Sequence, residues 1–143
     1  MYRYTITIAV LVLLAGIANG IVDTLQFHYS TSFAKDWDAS YWNPDKSWVQ
    51  KWKQVNGELV KPLTPRYFGS STFLVFTTDA WHLAKTSYHG FLRIAMVIIL
   101  LRYAAVYNQL VLRRWQYWTA GVGLWLVLAG VQALGFHVFY TLL

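Results

Sequence analysis

Three long apolar runs restrict the fold before any motif is considered. Tyr4 to Val22, YTITIAVLVLLAGIANGIV, carries no charged side chain and is about as long as a helix needs to be to cross a bilayer core. Phe91 to Tyr107, FLRIAMVIILLRYAAVY, and Tyr117 to Tyr140 are the other two. In hydrocarbon, a single segment satisfies all of its own N–H and C=O groups only as a helix. The runs therefore predict an all-α integral membrane protein with three transmembrane helices. Composition agrees: 57% of the chain is hydrophobic, above the roughly 45–50% of soluble domains, and the mean hydropathy is +0.36. Arg3 ahead of the first run and the small residues Gly16 and Ala18 within it also fit a secretory signal; the expectation here is an uncleaved span.

Between the first two runs lies a polar stretch that is too aromatic to be disordered. Trp37, Tyr41, Trp42, Trp48, Trp52 and Tyr67 alternate with Lys35, Lys46, Lys51, Lys53, Lys61 and Arg66. Such residues settle at membrane–water boundaries, so this is an aromatic-rich interfacial loop. Ser47-Trp-Val-Gln50 has the spacing of a capping box and Gly57 can act as a stop, which predicts a short helix over 48–56. That helix fits either a membrane surface or a small folded cap over the helix ends. The expected order is then one membrane domain: a first transmembrane helix over 4–27, the extramembrane loop over 28–69, an amphipathic or partly embedded fourth helix over 70–90, a second transmembrane helix over 91–112 and a last one over 117–141.

The net charge of +6 comes from twelve basic and six acidic residues. The basic residues are scattered, with no dense block and no stacking platform, so nucleic acid is not an expected partner. Short basic connections stay cytoplasmic. The 103–116 turn with Arg113 and Arg114 is therefore expected inside together with the N-terminus, and loop 28–69 on the opposite side. There is no cysteine, which excludes disulfides, thiolate metal sites and cysteine nucleophiles.

The chemistry concentrates in Ser70 to Arg93, SSTFLVFTTDAWHLAKTSYHGFLR. As a helix it places Asp79, His82, Thr86, His89 and Arg93 on one face at steps of three and four. Ionisable groups on an otherwise apolar helix mark a specific environment. One reading is a divalent-metal site, zinc or another first-row ion, built from Asp79, His82 and His89 with Asp23 or His28 from the end of the first helix. His82 and His89 are about 10 Å apart along a straight helix, so that reading needs a break near Gly90. A second is a structural network in which Asp79 and His82 bond to Lys51, Lys53 or Arg66, with Thr86 and Arg93 extending it. A third is a metal-free acid–base or substrate-binding site. Ser70, Ser71 and Thr72 supply hydroxyls but lack a nucleophile elbow and fit a helix cap equally well.

Asp23-Thr-Leu-Gln-Phe-His28, Trp42-Asn-Pro44 with Ser47-Trp48, and Ser71 to His82 together resemble small polytopic membrane proteins of bacteria over about residues 20–90. The resemblance implies a bacterial inner-membrane location and brings no activity with it. The Ser, Asp and His inventory is also similar to membrane-embedded zinc hydrolases of the ceramidase and progestin-receptor type. Their seven spans and paired histidines have no counterpart here, so no residues are carried over. Two functions follow from the sequence: a His/Asp site at the membrane interface, metal-binding and hydrolytic on a lipid-like substrate, or a non-catalytic accessory subunit of a larger membrane complex. Membrane lipids, other subunits and self-association through the small residues of the last helix are the partners expected.

Overall fold

A computed structural model describes residues 2–107 and 113–142, with side chains for 3–106 and 113–134. The order is α1 (Tyr2–Phe27), α2 (Ala39–Trp42), α3 (Pro44–Ser47), β1 (Gln54–Val55), β2 (Glu58–Leu59), α4 (Ala80–Tyr107) and α5 (Arg114–Leu142), with short 3-10 turns at Tyr29–Thr31, Trp48–Lys51 and Val75–Thr77. Among the described residues three helices, Arg3–Phe27, Ala80–Val106 and Arg114–Leu134, are long and apolar enough to cross a membrane. This is the architecture of an integral membrane protein. The chain divides into two compact units, Met1–Leu13 with Gly90–Leu143, and Leu14–His89.

The second of these, Leu14–His89, holds most of the core. Ala15, Ala18, Val22 and Leu25 recur at steps of three and four along α1 and are all buried. Leu25, Ala34 and Ala80 form a cluster onto which Ile21, Tyr29, Tyr41, Trp42 and Trp81 pack. Beside it, edge-to-face contacts tie together Phe33, Trp37, Tyr41 and Trp42, with ring centroids 4.5 Å apart for Trp37 and Trp42. Polar side chains shape the short elements. Asp38 caps α2 through the Ser40 amide and Asn43 caps α3 through the Asp45 amide, both at 2.9 Å, and Pro44 occupies the first position of α3.

The helix expected over 48–56 is not formed. Trp48–Lys51 is one 3-10 turn, and 54–59 is a hairpin pairing Gln54 with Leu59 and Val55 with Glu58. Asn56 and Gly57 take φ of +54° and +83° at its tip, the left-handed pair that a two-residue hairpin turn requires. Ser47 is buried and makes no capping bond, so the capping-box spacing is coincidental.

A separate helix over 70–90 is likewise absent. Residues 69–78 are turns, opened by Gly69 at φ +81° and held by Thr77 and Thr78, whose hydroxyls donate to the carbonyls of Leu74 and Val75 at 2.7 Å. Ser70 is fully buried, its Oγ donating to the Lys51 carbonyl at 2.8 Å, so it is a structural bridge. α4 begins only at Ala80 and runs unbroken through Gly90, where no neighbouring atom lies within 4 Å of a would-be Cβ. The polar-striped helix and the second apolar run are one helix.

The unit formed by Met1–Leu13 and Gly90–Leu143 is simpler. α4 and α5 run antiparallel: Arg93 Nε and Nη2 donate to Gln132 Oε1 at 3.1 and 2.6 Å, and Gly121 lies 3.7 Å from Val97 and Leu101. Arg93 also lies over the Trp125 ring, and Arg102 over the Tyr4 ring with 4.5 Å to the centroid. Most apolar side chains here remain exposed, among them Trp118, Val122, Leu126 and Val131. Apolar surface left open on helices of this length suits lipid.

Candidate acid–base site

Asp79 is the N-cap of α4, and its position follows from local chemistry. The Thr77-Thr78 hydroxyl bonds stop the preceding turn, and a carboxylate at the cap can receive the amide three residues on. Asp79 Oδ1 accepts from the His82 backbone N–H at 2.9 Å. Its Oδ2 lies 2.7 Å from His82 Nδ1 and 2.9 Å from Thr78 Oγ1. The Asp79 side chain is only 2% exposed and that of His82 21%. Thr78 Oγ1 has one proton and two acceptors, Asp79 Oδ2 and the Val75 carbonyl, and can serve one at a time.

Burial alone would push the Asp79 carboxyl up. The hydrogen bonds from the His82 side chain and amide, the His82 charge and the bond from Thr78 outweigh it and hold the group below its ordinary value. Tyr41 is shifted the other way: burial, then the Asp79 charge, raises its phenol. An ionised carboxylate only accepts hydrogen bonds, so Asp79 places the imidazole proton of the neutral ring on Nδ1 and leaves Nε2 as the base. The Trp81 ring meets the imidazole edge-on with centroids 5.0 Å apart, and Trp81 Nε1 donates to Gln26 Oε1 at 3.2 Å. The dyad's neighbour is thereby tied to the end of α1.

Thr78 and Tyr41 also line an open polar cavity of about 420 Å³, with Asp38, Gln50, Arg66 and Tyr67. Arg66 Nη1 donates to Gln50 Oε1 at 2.9 Å, and the Tyr67 hydroxyl is hydrogen-bonded to the Thr77 hydroxyl. Tyr29 Oη is buried, with no hydrogen-bond partner among the described residues.

Of the five candidate metal ligands, Asp79 and His82 come together. Asp23 lies 3.5 Å from the Asn19 amide, His28 is exposed at the end of α1, and the His89 ring lies beside Tyr88. Among the described residues no three His, Asp or Glu side chains converge as a metal ion requires. The lysine and arginine network is arranged differently from expectation. Lys51 Nζ sits over the Trp52 ring, Lys53 joins the loop through its backbone amide to Thr64, and Arg66 meets Gln50. Thr86 is exposed, and Arg93 pairs with Gln132 and Trp125 in the other unit. The residues that sequence reasoning missed are Thr78 and Tyr41. Thr78 was legible as a hydroxyl directly before a capping aspartate; Tyr41 had no signal, because only the folding of the loop brings it near Asp79. Compared with protein-family models, curated proteins and solved structures, the chain matches none.

Proposed function

We propose that the chain is a small polytopic membrane protein with a hydrolytic acid–base site at the membrane surface, in which His82 is the proton-transfer group and Asp79 the residue that orients it, acting on the polar end of a lipid-like substrate. The observation that carries this reading is the buried Asp79 carboxylate bonded to His82 Nδ1, which leaves Nε2 to take and return a proton. The pair stands at the first turn of a helix long enough to span a membrane, which supports a reading in which it lies near the lipid head groups. The cavity bearing Arg66, Tyr41 and Thr78 supplies hydrogen-bond donors for such a head group. With the N-terminus and the 103–116 connection on the cytoplasmic side by their arginines, residues 28–69 face the opposite side.

The test is turnover by the protein reconstituted in lipid, offered fluorogenic lipid esters, amides and phosphodiesters. The reading expects hydrolysis of one class, reduced about 100-fold or more in His82→Ala, with Trp fluorescence showing that the variant is folded. Absence of turnover in the wild type across all three classes, or equal turnover in the variant, overturns it.

A second reading, an accessory subunit of a larger membrane complex, draws on α5. Trp118, Leu126 and Val131 are exposed there, and nothing lies within 4 Å of a would-be Cβ on Gly123 or Gly130, a surface suited to another helix. It expects a larger partner at fixed stoichiometry after mild extraction from native membranes. Recovery of an isolated, catalytically active monomer contradicts it.

A further inference from the structure

The unit formed by Met1–Leu13 and Gly90–Leu143 contains Arg3, Arg93, Arg102, Arg113 and Arg114 and not one Asp or Glu. All six acidic residues lie in Leu14–His89. Within Met1–Leu13 with Gly90–Leu143, then, no Asp or Glu side chain is available to pair with a guanidinium. Arg93 is engaged by Gln132 and Trp125. The others gather towards the opposite end of the α4–α5 pair, where Arg102 lies over Tyr4 and Arg114 opens α5.

Two cavities meet at this end. The larger, about 720 Å³, is walled by Ile98, Leu101, Val122 and other apolar side chains, with Arg114, Tyr117 and Tyr4 as its polar members. The smaller, about 290 Å³, carries Arg102 and shares Tyr4. The larger is within the range of small-molecule sites, about 300–1,000 Å³. An apolar trough walled in part by Arg114, and adjoining through Tyr4 the cavity that carries Arg102, has the polarity of one ligand class, a long hydrocarbon chain bearing an anion. Arginine meets phosphate through a planar fork of N–H donors. The N-terminal end of α5, whose Arg113 amide is capped by Gln116 Oε1 at 2.7 Å, adds positive potential.

We propose that this trough is a binding site for an anionic phospholipid, with one acyl chain lying between α4 and α5 and the phosphate held by Arg114 and Arg102. A zwitterionic lipid brings a cation with its phosphate, and an arginine cluster without carboxylates repels that cation. The site therefore selects for net negative charge. The inference does not depend on the chemistry of the Asp79–His82 pair.

The experiment is a titration of the detergent-purified full chain with phosphatidylglycerol and, separately, phosphatidylcholine of identical acyl chains, read by native mass spectrometry. Phosphatidylglycerol is expected to bind with at least tenfold preference. Arg114→Gln and Arg102→Gln should each weaken it about fivefold, with phosphatidylcholine unaffected. Val122→Trp, which fills the trough at an exposed position, should lower retention of both lipids while leaving the arginines in place. Equal binding of the two lipids, retention unchanged in the double arginine variant, retention unchanged in Val122→Trp, or full displacement by saturating inorganic phosphate each overturns the proposal.

Discussion

The two units solve different problems with the same residue types. In Leu14–His89, aromatic and acidic side chains are spent on internal contacts: Trp37 and Trp42 pack on one another, Asp38 caps a helix, and Asp79 is buried beneath His82. In Met1–Leu13 with Gly90–Leu143, the aromatics Trp115 and Trp118 are exposed, and no acidic residue is present. The difference teaches where stability comes from. A unit built largely of short elements and loop must bury its own core, whereas helices in lipid gain nothing from moving a leucine out of hydrocarbon into protein. The fixed carboxylates therefore lie in the first of these, and the other unit offers apolar surface with arginines as its charged side chains.

The largest expected contrast is between two leucines. Leu25 is 1% exposed and Leu126 59% exposed. Leu25→Ala should cost about 2–5 kcal/mol by leaving a cavity in the cluster with Ala34 and Ala80. Leu126→Ala should stay within about 0.5 kcal/mol. Unfolding in mixed micelles followed by Trp fluorescence checks both, and equal effects would break the comparison.

Asp79→Ala comes next, at about 1–3 kcal/mol, because it removes the cap of α4 and leaves the His82 amide without its acceptor, while the Thr78 hydroxyl keeps the Val75 carbonyl. Hydrogen exchange should show the loss at the start of α4, with the α4–α5 contacts around Gly121 unchanged. The same residue predicts a pH dependence. Folding lowers the Asp79 pKa, so its ionised form is the one the fold favours. The stabilisation is complete above the ordinary carboxylate value and is lost as the pH falls through the lower value of the folded protein. An acid titration of the unfolding midpoint should be shallower in Asp79→Asn than in wild type.

Smaller effects sharpen the boundary of each unit. Gly69→Ala forces a Cβ onto a φ of +81° and to 2.8 Å from Phe73 Cζ. The left-handed backbone alone makes this cost about 1–2 kcal/mol, measurable in the same unfolding assay. Arg93→Ala loses the bonds to Gln132 and the contact with Trp125, both partly exposed, and should cost about 0.5–1 kcal/mol.

The membrane-spanning part of this fold was legible because it rests on length and hydropathy alone: Tyr4–Val22 and Phe91–Tyr107 sit inside observed helices. The segment from Ser47 to Thr78 was not, because its short elements are decided by competition between local signals. Asn56-Gly57 is a strong hairpin pair, and it overrode a capping-box spacing that used Gly57 only as a helix stop. In the stretch from Ser70 to Arg93, helical periodicity extended past its true start, since a capping aspartate looks like any other member of a stripe until the threonine bonds before it are seen. Asp79 and His82 are still neighbours because a cap and the third residue of its helix lie together, as do residues three apart within a helix. Asp23, His28 and His89 had no such local tie.

The tautomer of His82 tests the central claim most directly. Protein carrying 15N-labelled histidine, reconstituted in lipid nanodiscs at a pH where the ring is neutral, should show His82 protonated at Nδ1 in wild type and lose that preference in Asp79→Asn. A His82 ring protonated at Nε2, or nitrogen shifts identical in the two proteins, would contradict the claim that Asp79 holds His82 ready for proton transfer.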